Sequence, residues 1–494
     1  MITELEFKSL ATQSFNRIPL ITEAFADLET PLSIYLKLAC ASDNGSRSFL
    51  LESVVGGERF GRYSFIGLPA RTELRTTGTR TDVITDNLIV ESHHGNPLDF
   101  IEEYQSRFRV ALRPGLPRFC GGLAGYFGYD AVRFIEPKLS RFDKPDAIGT
   151  PDILLLQCEE LAVIDNLSGR LYLIVYADPG QRESFSRAKR RLAELADRLR
   201  SSVIPPEVKR GPAHRVEREF PKTDYLTAVH RAKEYIASGD MMQVQIGQRL
   251  KMRYTESPLS LYRALRSLNP SPYMYFYDMG DFQIVGASPE ILVRQEHTAL
   301  GQKVTIRPLA GTRPRGATPE QDLALEAELR SDPKEHAEHL MLIDLARNDI
   351  GRIAQTGSVK VTEAFVVERY SHVMHIVSNV EGLVKENMTN LDVLRATFPA
   401  GTLTGAPKIR AMEVIDELEP SKRGIYGGAC GYLSFAGDMD VAIAIRTGII
   451  KDQTLYVQAA AGIVADSVPE LEWNETEAKA RALIRAAELV EEGF

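Results

Sequence analysis

Residues 431 to 466, GYLSFAGDMDVAIAIRTGIIKDQTLYVQAAAGIVAD, hold three apolar runs rich in Val, Ile and Ala, separated by short Gly/Asp turns. Turns this short join only antiparallel neighbours, because a parallel pair needs a crossover of about a dozen residues or more. The pattern recurs upstream. YMYFYD and DFQIVG flank Met279 and Gly280 as the arms of a hairpin, and DILLLQCEELAVID and GRLYLIVYAD are parted by turn residues. Long strands joined by hairpins, with helices set around them, predict an α+β fold of antiparallel sheets rather than a βαβ repeat.

Several helices are legible beside the strands. Residues 181 to 199 place Phe185, Ala188, Leu192, Leu195 and Leu199 at helical spacing. Ser201 to His214 then brings three prolines and several charges, the composition of a linker. It divides a sheet-rich stretch, 1–200, from a longer one, 215–494, and so predicts two domains. In the second, Thr223 or Asp224 can cap a helix that runs to Ser238, with Gly239 just past its end. Thr318-Pro-Glu-Gln321 and Asp332-Pro-Lys-Glu335 read as capping boxes with Pro at the first helical position. A further helix begins near Pro407 and turns Ile409, Met412, Ile415 and Leu418 inward; the last spans about Glu470 to Glu491.

Composition narrows the function. Of 494 residues 44% are hydrophobic, enough for a large core, and the net charge of -8 disfavours a chain whose work is neutralising nucleic-acid phosphates. The four cysteines, Cys40, Cys120, Cys158 and Cys430, show no CxxC pairing, so neither a disulfide framework nor a thiolate zinc site is indicated. MITELEFKSL lacks the basic-then-apolar pattern of a signal peptide, and no apolar run approaches the ~20 residues that cross a bilayer. A cytoplasmic protein that binds neither nucleic acid nor membrane is expected.

Four clusters could carry chemistry. Glu335-His-Ala-Glu-His339 heads a helix, but His336 and His339 are three apart rather than four, which disfavours an HExxH zinc site. Glu335 and Glu338 share the face of Leu342 and Leu345. A carboxylate pair there either answers the helix dipole or binds a hard cation such as Mg²⁺. PAGTLTGAPK, 399 to 408, combines glycines, hydroxyls and a helix start, and reads either as an anion cradle or as a turn that needs glycine for its geometry. Arg446, within the alternating run DVAIAIRTGII, needs a partner or an anionic ligand. AAAGIVADS, 459 to 467, leads through Gly462 to the last helix, where Glu475 and Lys479 at i, i+4 would ordinarily be a surface ion pair. His372 and His375 in YSHVMHIVS could be core histidines.

In this order the segments resemble the chorismate-utilising enzymes, and among them the large (component I) subunits of anthranilate synthases. The resemblance is carried by LLES (50–53), GRYSFIG, GDMMQVQIGQR, NPSPYMYF, GASPE, RPLAGTRPRG, EHAEHLMLIDLARND, VMHIVS, PAGTLTGAPK, IYGG, AIRT, AAAGIVADS and WNETEAKA, essentially the whole chain. It implies two stacked antiparallel sheets flanked by helices, and Mg²⁺ held between Glu338 and Glu475 with Glu335 in support. The metal would hold the ring carboxylate of chorismate and withdraw electrons from the diene. Thr402, Tyr426, Arg446, Ala461 and Gly462 would bind the enolpyruvyl carboxylate, with Ala310, Gly311 and Thr312 along the site and Lys479 near the metal-bound carboxylate. His375 and Glu290 would divide the acid and base roles between them, in an order the sequence leaves open.

Two positions separate members of the resemblance. Isochorismate and salicylate synthases carry Lys where Gln243 stands here, and use it to activate water; aminodeoxychorismate synthases carry a nucleophilic Lys where Ala310 stands. Neither Gln243 nor Ala310 can do that work, so ammonia adding at C2, followed by loss of pyruvate to give anthranilate, is expected ahead of amination at C4. The cysteines lack the setting of a glutaminase nucleophile, so a separate glutamine amidotransferase subunit, in a heterotetramer, is implied. Glu52 and Ser53 of LLES, with Pro272, Tyr273 and Met274 of NPSPYM, match the family's tryptophan pocket for feedback inhibition.

Overall fold

The computed structural model describes residues 2–40, 47–53, 61–141, 144–208, 210–211, 214–370 and 373–493; His372 lies outside them. Its strands form two antiparallel sheets of 12 strands each. The first runs from Ile18–Phe25 at one edge through Ser48–Glu52, Tyr273–Asp278, Gln283–Ser288, Thr447–Lys451 and Thr454–Ile463 to Gln243–Arg253 and the short Glu217–Arg218. The second runs from Leu309–Pro314 and Val373–Leu383 through Ile291–Thr298, Met439–Ile443 and Ala429–Ser434 to Gly122–Phe127, Ile153–Cys158 and the edge strand Leu88–His94. The α+β expectation holds.

Side-chain alternation explains why the sheets stack. Along Tyr273–Asp278 the three tyrosines, Tyr273, Tyr275 and Tyr277, face the second sheet and join Phe49, Phe65, Phe119 and Tyr432 in a buried aromatic layer. Met274 and Phe276, one residue out of step, face the helices that cover the outer side. Those helices include Ser184–Leu199, Pro258–Leu268 and Pro469–Glu491. The outer face of the second sheet is covered by Pro97–Ser106, Pro333–Ile353 and Asn390–Thr397, while Lys408–Leu418 packs on Gln243–Arg253 of the first.

Several expectations are adjusted. The Pro-rich stretch carries no helix or strand from residue 201 to 214 where it is described, but strands from either side of it interleave in both sheets. The boundary between 1–200 and 215–494 therefore does not divide the sheets. The helix expected from Thr223 or Asp224 begins at Lys222, with Pro221 at its cap. The hairpin of Met279 and Gly280 has a four-residue loop, closed by an Asp278–Gln283 pair. Both capping boxes are half-made. Thr318 accepts from the Gln321 amide at 3.3 Å, but the Gln321 side chain turns to the Ala317 amide. Asp332 accepts from the Lys334 and Glu335 amides, while the Glu335 carboxylate meets Arg313 at 3.4 Å. Ile409 is exposed rather than inward, because the start of its helix faces outward while Met412 and Ile415 reach the core.

The main correction concerns DVAIAIRTGII. Read as one strand, it is two: Met439–Ile443 in the second sheet and Thr447–Lys451 in the first, so the C-terminal run holds four strands rather than three. Residues 444–446 carry the chain across, and Arg446 takes a left-handed φ of 50° there. Gln283–Ser288 and Ile291–Thr298 cross between the same two sheets in the same way, through Pro289 and Glu290. The crossings lie side by side: the Ser288 hydroxyl donates to the Ile443 carbonyl at 2.7 Å, and the Ile443 amide donates to that of Glu290 at 3.0 Å.

Candidate active site

Two of the candidate residues, Glu290 and Arg446, thus sit where paired strands change sheets, a place that leaves their side chains outside the alternation of either sheet. Burial pushes the Glu290 carboxyl up to about 8, against smaller opposing effects of the Thr402 hydroxyl and the Lys479 ammonium. The Thr402 Oγ1 is out of solvent and makes no hydrogen bond of ordinary geometry. Arg446 has no ion pair among the described residues; burial works against its charge, and Tyr426 is the acidic group that favours it. A half-buried guanidinium, the Thr402 hydroxyl and the Tyr426 phenol together suit an anion.

His375, on Val373–Leu383, is held from the other side. Its Nδ1 lies 2.8 Å from the Gly311 carbonyl, which can only accept, so Nδ1 carries the proton and Nε2 is left as a base. The Thr312 hydroxyl is 3.1 Å from the same nitrogen. Burial holds this imidazole below the usual histidine range, in its neutral form. Gly311 adopts φ +65° in an irregular stretch of Leu309–Pro314, and a side chain there would press on Glu335 and Leu329. Ala310 is buried in the same strand.

The acidic groups meet at two helix starts. Gln243 Nε2 donates to Glu338 at 3.4 Å, and a Cβ on Gly462 would fall 2.6 Å from the same nitrogen, which ties the helix Pro333–Ile353 to the strand that carries Ala461 and Gly462. Burial and the neighbouring Glu338 charge raise Glu335; burial and, less strongly, Glu475 raise Glu472, which also feels Lys334. Glu475 pairs with Lys479 at 2.7 Å, and Lys479 donates to the Ala460 carbonyl at 2.9 Å. Among the described residues no group of three or more His, Cys, Asp and Glu is arranged as a complete metal cage. An ExxE pair on each helix, Glu335/Glu338 and Glu472/Glu475, nevertheless sets carboxylates close together, and Glu335 and Glu472 are raised first by burial and then by their neighbours. That donor set fits a hard divalent cation that draws its remaining oxygens from water and ligand.

Other candidates resolve as structural. His336 stacks on Phe365 with ring centroids 4.7 Å apart and bonds to the Arg330 carbonyl, while His339 is buried on Ser378 at 2.7 Å, so the pair does not converge on a metal. Lys408, at the helix start in PAGTLTGAPK, is tied to Asp349 at 2.7 Å. The capacity of that segment to bind an anion therefore rests on Thr402 rather than on Lys408.

Several contributors were not singled out from the sequence. Glu472 is one, although its spacing to Glu475 repeats that of Glu335 to Glu338. Arg423 is another. Fully buried, it grips Glu419 (2.9 and 2.6 Å) and donates to the Leu403 and Gln245 carbonyls, with Tyr426 and Tyr129 against its guanidinium. Tyr370, whose ring lies 5.6 Å from that of His375, is a third.

A cavity opens between the sheets and collects Glu52, Ser53, Pro272, Tyr273 and Met274. Arg294 and Asp440 of the second sheet close its other side.

These features define a chorismate binding enzyme, and the chain belongs to that family, whose model matches residues 48–485. It is 58% identical, over 100% of both chains, to anthranilate synthase component 1 of Neisseria meningitidis serogroup A, and 55% identical to that of Pseudomonas aeruginosa over 99% of each. Among solved structures, anthranilate synthase component I from Streptococcus pneumoniae TIGR4 superposes with a TM-score of 0.78 at 37% identity, covering 94% of this chain and 99% of that one. The menaquinone-specific isochorismate synthase MenF of Escherichia coli, at 20% identity and a TM-score of 0.70 over 98% of each chain, shares the fold.

Proposed function

We propose that this chain is the chorismate-converting component of an anthranilate synthase, adding ammonia to C2 of chorismate and then expelling pyruvate. The observation that carries the reading is Arg446: a half-buried cation without an ion-pair partner among the described residues, set beside Tyr426 at a sheet crossing, asks for a carboxylate. Gln243 and Ala310 stand where water-adding and 4-aminating relatives need a lysine, and the full-length relatives named above point the same way. Amination at C4 is not favoured.

In this reading Arg446, Tyr426, Thr402 and the backbone around Gly462 hold the enolpyruvyl carboxylate. Glu338 and Glu475, supported by Glu335 and Glu472, would hold Mg²⁺, which when bound supplies charge to the ring carboxylate and draws electron density from the diene. Glu290, kept protonated near neutral pH by burial, gives its proton to the departing C4 hydroxyl. His375, neutral and with Nε2 free, takes the C2 proton as pyruvate leaves. A glutamine amidotransferase subunit supplying ammonia in a heterotetramer, a cytoplasmic setting and feedback by tryptophan at the inter-sheet cavity complete the proposal. No helix among the described residues is long and apolar enough to cross a membrane. The test is incubation of the purified chain with chorismate, Mg²⁺ and an ammonium salt: anthranilate fluorescence supports the reading, and a 4-amino product or no turnover overturns it.

A further inference from the structure

Thr402, Tyr426 and the backbone at Gly462, all assigned to the enolpyruvyl carboxylate, belong to separate segments of the chain. Arg423 reaches each of those segments. Its Nη1 donates to the Leu403 carbonyl at 2.7 Å, next to Thr402. Its Nη2 donates at 3.1 Å to the carbonyl of Gln245, which is the register partner of Gly462. The Tyr426 amide donates to the Arg423 carbonyl at 3.3 Å, and the guanidinium carbon lies 5.8 Å from the centre of the Tyr426 ring. The arginine is held in its turn. Glu419 takes Nε at 2.9 Å and Nη2 at 2.6 Å, and the same carboxylate accepts from the Gly247 amide at 2.8 Å, on the strand that carries Gln245. Beyond Tyr426, the Gly427 amide donates to the Ala444 carbonyl at 2.9 Å and the Ala444 amide to that of Gly428 at 2.8 Å, which ties the turn to the crossing that ends at Arg446. A guanidinium's fixed fork serves a carboxylate and two carbonyls at once. An ammonium on a flexible stem does not reproduce that geometry.

We propose that Arg423 is a positioning residue that sets the spacing of the enolpyruvyl clamp, and so governs how tightly chorismate is held rather than how fast protons move. The inference rests on the reading of function above. The groups that carry protons in that reading are anchored elsewhere: the His375 imidazole on the Gly311 carbonyl at 2.8 Å, and Glu290 through its own carbonyl, which accepts from the Ile443 amide. Side chains held in a buried, fully hydrogen-bonded network keep one geometry, and a clamp built on such a network meets its ligand already spaced. Anthranilate has the ring carboxylate but no enolpyruvyl group. It therefore reports on the rest of the site without engaging the clamp.

The experiment follows chorismate consumption by the full chain with Mg²⁺ and ammonium chloride, with and without added anthranilate as inhibitor. Arg423→Lys keeps a cation opposite Glu419 and loses the fork. It is expected to raise the KM for chorismate about tenfold or more, while kcat stays within about threefold and the inhibition constant of anthranilate within about twofold. Arg423→Met combined with Glu419→Leu, its folding checked by urea unfolding, covers the case in which lysine alone prevents folding, and is expected to show the same split. If the unsubstituted chain makes anthranilate and the folded variants keep its KM for chorismate, this inference falls alone. It falls alone too if that KM and the anthranilate constant rise together, since a general loosening of the site would do that. If the unsubstituted chain makes no anthranilate from ammonium, the reading of function falls and takes the inference with it.

Discussion

The inter-sheet cavity and the catalytic site differ in how their charges are matched. In the former, Glu52 accepts from the Tyr262 hydroxyl (2.5 Å) and from Arg266 (2.7 Å), and Asp440 takes Arg294 (2.8 Å) and Tyr273 (3.2 Å). The Arg118 Nε–H and the Tyr432 hydroxyl are exceptions, buried without a hydrogen-bond partner among the described residues. In the latter, Arg446 and the Thr402 hydroxyl stand without such partners, and four carboxylates crowd two helix starts. Charges already matched keep a pocket in shape whether or not it is filled; unmatched charges are stabilised only by what binds. The first arrangement suits a ligand that is sensed, the second one that is transformed.

The largest test of that contrast is Glu338→Gln. Loss of a carboxylate from the proposed cation site is expected to lower kcat/KM about 100-fold or more, with Mg²⁺ dependence flattened, while tryptophan binding measured by calorimetry persists. Loss of both activity and tryptophan binding would mean that the two sites are one. Arg423→Met probes the scaffold beneath the unmatched charges. It strands the buried Glu419 and should cost about 3–5 kcal/mol of stability in urea unfolding, whereas Arg423→Met combined with Glu419→Leu should recover much of it.

Glu290 offers a pH test. Its folded value lies above the unfolded one, so its contribution to stability is present below the unfolded value and is lost as pH rises through about 8. The same titration should make kcat fall about tenfold per pH unit on the alkaline side. Glu290→Gln is expected to abolish both trends and to lower kcat; an unchanged pH profile would remove Glu290 from acid duty. The smallest effect on turnover is expected from Ser53→Phe. By filling the inter-sheet cavity it should weaken tryptophan inhibition about tenfold and leave kcat within about twofold, as read from inhibition curves.

Much of the site was legible one residue at a time. His375, Glu338, Gln243 and Gly462 were named from the sequence, and the structure sets Gln243 against both Glu338 and Gly462. The interleaving of strands across residue 201 was not legible, because pairing between distant strands leaves no local trace. Nor was the break at Arg446: DVAIAIRTGII keeps its period of two while the chain changes sheets, since both sheets ask for the same alternation. Glu472 was missed for another reason. Its signal, a second ExxE, is plain only once both helix starts are known to share a site.

The paired crossings also link the two cavities mechanically. Arg294 lies on Ile291–Thr298, which begins one residue after Glu290, and Asp440 lies on Met439–Ile443, which ends three residues before Arg446. At about 3.3 Å per residue the strand portions span roughly 10 Å each. A guest wedged against Arg294 and Asp440 would push on two strands that end just short of the proposed proton donor and the proposed carboxylate clamp.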